Sequence, residues 1–204
     1  MSVEMKIDCV EIVKGLINES NAEYTAQALK QARDSKILWE KCVLLRKFTT
    51  PQSTDAEKLV RHDLKIERPL NNTSGDGIKN GIKYEIKVSL HDKRCNVNIR
   101  QIRPHHTVDF YIIIAFNLFE GELGKAFIFK IPENEIYKLI SNYGGYTHGT
   151  VEVNGIITLS SILDKTNKFE YSLSPDPNAT KGTKAYTLWE EFLKYEVEYH
   201  ENNF

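Results

Sequence analysis

Asp76, Glu85 and Lys87 are the residues of this chain whose types and spacing could together do chemistry. Two carboxylates offer hard oxygen ligands to a divalent cation, and a lysine beside them offers a mobile point charge. All three lie in residues 74–90, which contain the dipeptide Asn80-Gly81. A two-residue type I′ hairpin turn needs positive φ at both central positions, and Asn-Gly tolerates that best, so the turn sets a register. With Lys79 facing Ile82, Ile78 falls opposite Lys83, Gly77 opposite Tyr84 and Asp76 opposite Glu85, the last pair with Cβ atoms roughly 4.5–5.5 Å apart. The second strand alternates, with Ile82, Tyr84, Ile86, Val88 and Leu90 on one face and Lys83, Glu85, Lys87 and Ser89 on the other. Like charges opposed across a ladder destabilise it, and a hard cation between the oxygens removes that penalty. The same residues also suit a solvated hairpin face. In this register Ile78 lies on the polar face, which a bulge or longer loop would change.

The elements around the hairpin follow from apolar periodicity. Residues 3–19 and 22–47 carry helical stripes and form an N-terminal helical part over 1–50, suited to packing or to a dimer contact. Thr54-Asp55-Ala56-Glu57 reads as a capping box opening a helix to about Leu64, which makes Glu57 either the N3 cap partner or a helix-borne carboxylate reaching a neighbouring site. Part of residues 95–103 reads as a strand stopped by Pro104. Residues 108–119 hold the continuous run Phe110 to Phe116, fit for a strand covered on both faces. Another strand is expected over 125–131 and a helix from Pro132 to about Ser141. Residues 143–149 and 172–183 read as loops, residues 151–162 as a strand pair around Asn154-Gly155, and 185–199 as a terminal helix. The whole chain, 1–204, is expected to be one domain with its core over 54–150 and loops, strands and a helix over 151–204.

Composition narrows the class. A hydrophobic content of 41% with 27% charged residues is that of a globular protein. The longest apolar run, Phe110 to Phe116, falls far below the ~18 residues of a membrane span, and the polar start is unlike a secretory signal, so a cytoplasmic protein with no membrane partner is expected. Cys9, Cys42 and Cys95 are too scattered for a disulfide framework or a zinc cluster. The net charge of −1 argues mildly against nucleic acid, yet residues 79–103 carry seven Lys and Arg against Glu85 and Asp92. Arg100, Gln101 and Arg103 are candidate DNA contacts, since Arg suits guanine and Gln suits adenine, although plain alternation would face Arg100 and Arg103 oppositely. His148, Lys181 and Lys184 are loop candidates for phosphate or groove contact. His105 and His106 could touch DNA or simply be solvated.

Asp76, followed after eight residues by Glu85-Ile86-Lys87, resembles the active-site signature of the PD-(D/E)xK nuclease superfamily, and the order of elements around it resembles that superfamily's common core. Asn98-Ile99-Arg100-Gln101-Ile102-Arg103-Pro104, Val108-Asp109-Phe110-Tyr111-Ile112-Ile113 and Phe127-Ile128-Phe129-Lys130-Ile131-Pro132 look more narrowly like type II restriction endonucleases, over about residues 54–150. Gly75 stands where the signature has proline. The resemblance implies an α/β fold, a restriction-endonuclease-like core with a central mixed β-sheet flanked by helices, preceded by N-terminal helices. It implies Mg²⁺ held by Asp76, Glu85 and the Ile86 carbonyl, with Lys87 orienting the attacking water. The implied activity is Mg²⁺-dependent, sequence-specific hydrolysis of double-stranded DNA by a homodimer, one site per strand. A structure-specific repair or recombination nuclease on the same core is the alternative enzyme, and a non-catalytic DNA-binding or assembly protein the alternative outside enzymes.

Overall fold

A computed structural model describes residues 5–15, 22–48, 55–71, 73–91, 97–117, 124–147, 156–166 and 168–204. Four helices come first: α1 (Cys9–Gly15), α2 (Ala22–Asp34), α3 (Leu38–Phe48) and α4 (Asp55–Leu64). The hairpin β1 (Gly77–Lys79) and β2 (Ile82–His91) follows, then β3 (Ile99–Ile102), β4 (Phe110–Asn117) and β5 (Lys125–Pro132). The chain ends with α5 (Glu133–Tyr143), β6 (Gly145–Tyr146), α6 (Leu159–Leu163), β7 (Tyr171–Leu173), α7 (Lys184–Leu193) and a 3₁₀ turn at Glu201–Asn203.

The central sheet has the order β1-β2-β4-β5. Its outer pairs are antiparallel and β2 and β4 run parallel, so the sheet is mixed. Strand β4 is buried along nearly its whole length, as its apolar run requires, because alternate residues enter two different cores. Ile112, Ile114 and Phe116 join Tyr84 and Ile86 under α1 to α4. Tyr111, Ile113 and Ala115 pack with Phe127, Phe129, α5, α7 and a second sheet of order β3-β7-β6. Trp189 of α7 stands edge-on to Phe127 and Phe129, with centroids 4.8 and 5.5 Å apart. In β2, Tyr84 and Ile86 feed the helical core, which turns Glu85 and Lys87 to the opposite face.

Each edge of the central sheet is paired over part of its length. Glu67 exchanges two backbone hydrogen bonds with Ile78 of β1, each 2.8 Å long. At the other edge Lys130 donates to the Tyr195 carbonyl at 3.0 Å and Val197 donates to the Ile128 carbonyl at 2.9 Å. A buried ion pair, Lys41 to Asp63, ties α3 to α4, and the Tyr199 hydroxyl donates to the same carboxylate at 3.1 Å.

Several expectations need correction. The first helix is only Cys9–Gly15 within the described residues, and the second stripe breaks into two helices at residues 35–37. The strand pair expected over 151–162 is absent from the described part of that stretch, where Thr158 instead caps α6, exchanging hydrogen bonds with Ser161 in a capping box. Its turn Asn154-Gly155 lies outside the described residues, as do Cys95 and the helix-cap candidate Thr54. The loop assigned to 172–183 begins inside β7, and the terminal helix stops at Leu193, where the chain leaves to cover the β5 edge. Cys9 and Cys42 are buried free thiols whose pKa values burial pushes up to about 11 and about 12. Among the described residues no helix is long and apolar enough to cross a membrane.

Candidate active site

The turn geometry sets the site. Asn80 and Gly81 have φ of 53° and 80°, and β1 pairs with β2 as Lys79 to Ile82, Ile78 to Lys83 and Gly77 to Tyr84. The ladder ends at Gly77: the Asp76 N–H donates to the Tyr84 carbonyl at 2.7 Å, one residue short of the Glu85 that the strict register would place opposite it. Ile78 pairs with Lys83, as the turn requires, and its backbone pairs with Glu67 on the outer side. Immediately before Asp76, Gly75 has φ of +72°, and a Cβ there would lie 2.5 Å from the Tyr84 carbonyl oxygen and 2.7 Å from Val108 Cγ1. Proline fixes φ near −65°, so the signature's proline cannot occupy this position in this backbone.

Asp76 leaves the ladder at this point. Its carboxylate oxygen Oδ2, rather than a strand carbonyl, accepts the Ile86 N–H at 2.7 Å. Its own carbonyl accepts from Arg61 Nη1 of α4 at 3.0 Å. Lys87 Nζ donates to Glu85 Oε1 at 2.7 Å, and the two side chains are only 16% and 5% exposed, so this pair is held on the sheet face rather than waving in solvent. A strand residue turns its N–H and C=O to the same side, so the Ile86 carbonyl faces the sheet edge that Asp76 occupies.

These residues open into a cleft of about 400 Å³ lined by Asp76, Glu85 and Gly75, by Glu57, Lys58 and Arg61 of α4, by Arg68 and Pro69, and by Arg103 and His106. The floor is acidic and the walls are basic. Burial, then the neighbouring Asp76 charge, pushes the Glu57 carboxyl up to about 7, with Glu85 adding to the rise while Lys87 and Arg61 oppose it. Burial and the neighbouring Glu85 also raise Asp76, against Lys87, the Ile86 N–H and Arg61. A carboxyl raised on folding stabilises the native state fully below its unfolded pKa, and that contribution disappears as pH climbs through the folded value. Stability of the metal-free protein should therefore fall between about pH 4.5 and 7, and Glu57→Gln should flatten that slope. Glu57 stays partly solvated, so its screened share is on the order of 1–2 kcal/mol. Urea unfolding midpoints at pH 5 and 8 test this, and parallel pH profiles in the two proteins would refute it.

The donor chemistry fits Mg²⁺. Asp76 Oδ2 and Glu85 Oε1 have protein partners, which leaves Asp76 Oδ1, Glu85 Oε2 and the Ile86 carbonyl as hard oxygen donors. Mg²⁺ is commonly held by one or two carboxylates, with waters and phosphate oxygens completing the shell. Among the described residues, no group of three His, Cys, Asp or Glu is placed to hold a metal alone.

The cleft thus joins Asp76, Glu85 and Glu57, with Lys87 on the Glu85 carboxylate. Of the candidate DNA contacts, Arg103 and His106 line it among the described residues; the Arg103 Nε donates to Glu170 Oε1 at 2.7 Å. Arg100 and Gln101 are both exposed on β3, because an irregularity in the β3–β7 pairing, with Gln101 at φ 56°, interrupts the alternation. Lys181 and Lys184 are exposed near the start of α7, and His148 lies outside the described residues. Sequence reading missed Lys58, Arg61, Arg68 and His106 as members of one cleft. A signal existed for Lys58 and Arg61, which share a helix with Glu57 at spacings of one and four residues. No family model, curated protein or solved structure matches this chain.

Proposed function

We propose that this chain is a Mg²⁺-dependent endonuclease that hydrolyses phosphodiester bonds of double-stranded DNA, with a PD-(D/E)xK site on a restriction-endonuclease-like core, acting as a type II restriction enzyme. The observation that carries the reading is the pair Asp76 and Glu85 in one cleft, with Lys87 bonded to Glu85 and walls of Lys58, Arg61, Arg68 and Arg103. Carboxylates alone would repel a polyanion, while basic walls around them draw in a phosphate and leave the acids for a cation.

Asp76, Glu85 and the Ile86 carbonyl would hold Mg²⁺, which when bound polarises a phosphate oxygen and lowers the pKa of a coordinated water. Arg61, through the Asp76 carbonyl, keeps Asp76 turned to its place. Lys87 Nζ, fixed on Glu85, orients the attacking water and offsets charge that grows on the phosphate oxygens. Glu57, with its carboxyl near neutrality, can take a proton from the water side of the cleft. Phosphate contacts fix the duplex in position, and base-edge contacts supply any sequence preference, for which Arg100 and Gln101 are exposed candidates. Cutting both strands calls for two sites, hence a homodimer.

Digestion of a phage genome is the direct test. Discrete bands in Mg²⁺ that vanish with a chelator are expected. An uncut genome across divalent cations would overturn the reading, and a smear or cutting only at branched junctions would replace the restriction activity with another nuclease.

A further inference from the structure

His106 is the residue of the cleft that the reading above leaves unused. It lies on the connection from β3 to β4, within three residues of Arg103, and both line the cleft. Its ring stands edge-on to His105, with centroids 4.8 Å apart, so its orientation is set by packing. Its Nδ1 is buried without a hydrogen-bond partner. Burial first, then His105, Arg103 and Lys87, lower its pKa against a smaller opposing pull from Asp76, so the imidazole is neutral at neutral pH. A neutral imidazole carries one proton on one of two nitrogens. Placing it on Nδ1 would bury an unpaired N–H, and such orphan donors are rare because their desolvation is uncompensated. The proton therefore belongs on Nε2, the nitrogen that is not buried.

We propose that His106 is a phosphate-binding residue of this site, donating from Nε2–H to a non-bridging oxygen of the DNA phosphodiester beside the Arg103 guanidinium. The assignment rests on the nuclease reading for its substrate. A neutral donor gives what the rest of the wall lacks: it directs one phosphate oxygen without adding another cation near the carboxylates, whose ability to hold Mg²⁺ more positive charge would weaken. Arg103 supplies the charge, and its Nε bond to Glu170 keeps the guanidinium at the wall.

Nitrogen NMR of the imidazoles in the full chain tests this apart from cleavage, with His106 identified by the signal lost in His106→Gln. The metal-free protein should show Nε2 protonated and Nδ1 bare, and inorganic phosphate added with Mg²⁺ should move the His106 Nε2 signal while leaving that of His62, whose side chain is 74% exposed on α4, in place. A proton on Nδ1, or a His106 signal indifferent to phosphate, overturns the proposal whether or not the chain cuts DNA. Phosphate binding at His106 in a chain that never cuts DNA keeps this site and overturns the nuclease reading. In cleavage assays His106→Ala should raise KM about tenfold with kcat changed less than about threefold, and His106→Gln, which restores an N–H donor, should recover most of the loss. Equal KM in wild type and His106→Ala, or the same deficit in the Gln and Ala variants, overturns it.

Discussion

Lys87→Ala should bind duplex DNA in Ca²⁺ within a few-fold of the parent and lose about 100- to 10,000-fold in Mg²⁺-dependent cleavage rate. The ammonium reaches Glu85 at 2.7 Å from a side chain only 16% exposed, so water cannot take its place without rearrangement. Removing it also strips a buried carboxylate of its cation, and breaking such a pair costs about 3 kcal/mol. The variant should therefore melt below the parent, and Mg²⁺ should restore more of that loss than it adds to the parent, because the metal supplies the missing positive charge. Three measurements check this: DNA binding in Ca²⁺, single-turnover cleavage in Mg²⁺, and melting with and without Mg²⁺. Parent-like cleavage by Lys87→Ala would sink the active-site assignment.

The second large effect belongs to a residue with no chemistry. Gly75→Ala should cost about 2–4 kcal/mol of stability and about 100-fold in cleavage rate. Its φ of +72° is strained for any side chain, and the new Cβ would meet the Tyr84 carbonyl oxygen at 2.5 Å, a backbone atom that cannot swing aside. Relief requires moving residue 75 away from β2, and Asp76 moves with it, off the Ile86 N–H and out of line with Glu85. Gly81→Ala is the control, because Gly81 also has positive φ, +80°, but nothing lies within 4 Å of a Cβ there. It should lose only the backbone preference, about 1 kcal/mol, with cleavage retained. Urea unfolding with cleavage rates separates the two, and equal losses at Gly75 and Gly81 would show that the steric contact is not what matters.

What the sequence revealed of this site is what local geometry controls. Asn80-Gly81 fixed the register of β1 on β2 as far as Gly77 and Tyr84, which brings Asp76 beside β2, and the two-residue period of β2 put Lys87 on the Glu85 face. The apolar run of β4 announced a strand covered on both sides for the same reason: its side chains alternate between two cores. The basic walls were illegible because Lys58 and Arg61, Arg68, and Arg103 with His106 arrive from three separate segments, and only tertiary packing brings them to one cleft. Gly75 stands where the signature has proline, and its φ of +72° is one that proline cannot adopt. Ser172 and Leu173 fall in the stretch that reads as loop by composition, and they belong to a strand because β3 and β6 are there to pair with it. Thr158 to Ser161 carried a capping signal that the neighbouring Asn-Gly turn outweighed, so a short helix was read as strand.

The paired stretches at the edges of the central sheet bear on how two copies could meet. Glu67 holds the hydrogen-bonding groups of Ile78 at the β1 edge, and the segment from Tyr195 to Val197 holds those of Ile128 and Lys130 at the β5 edge. A strand from a second copy would have to displace one of these segments before it could pair there. A homodimer that met at those stretches to cut both strands of a duplex would join through side chains, leaving the mutual tilt of the two clefts, and with it the stagger between the cuts, to be set by packing rather than by strand register.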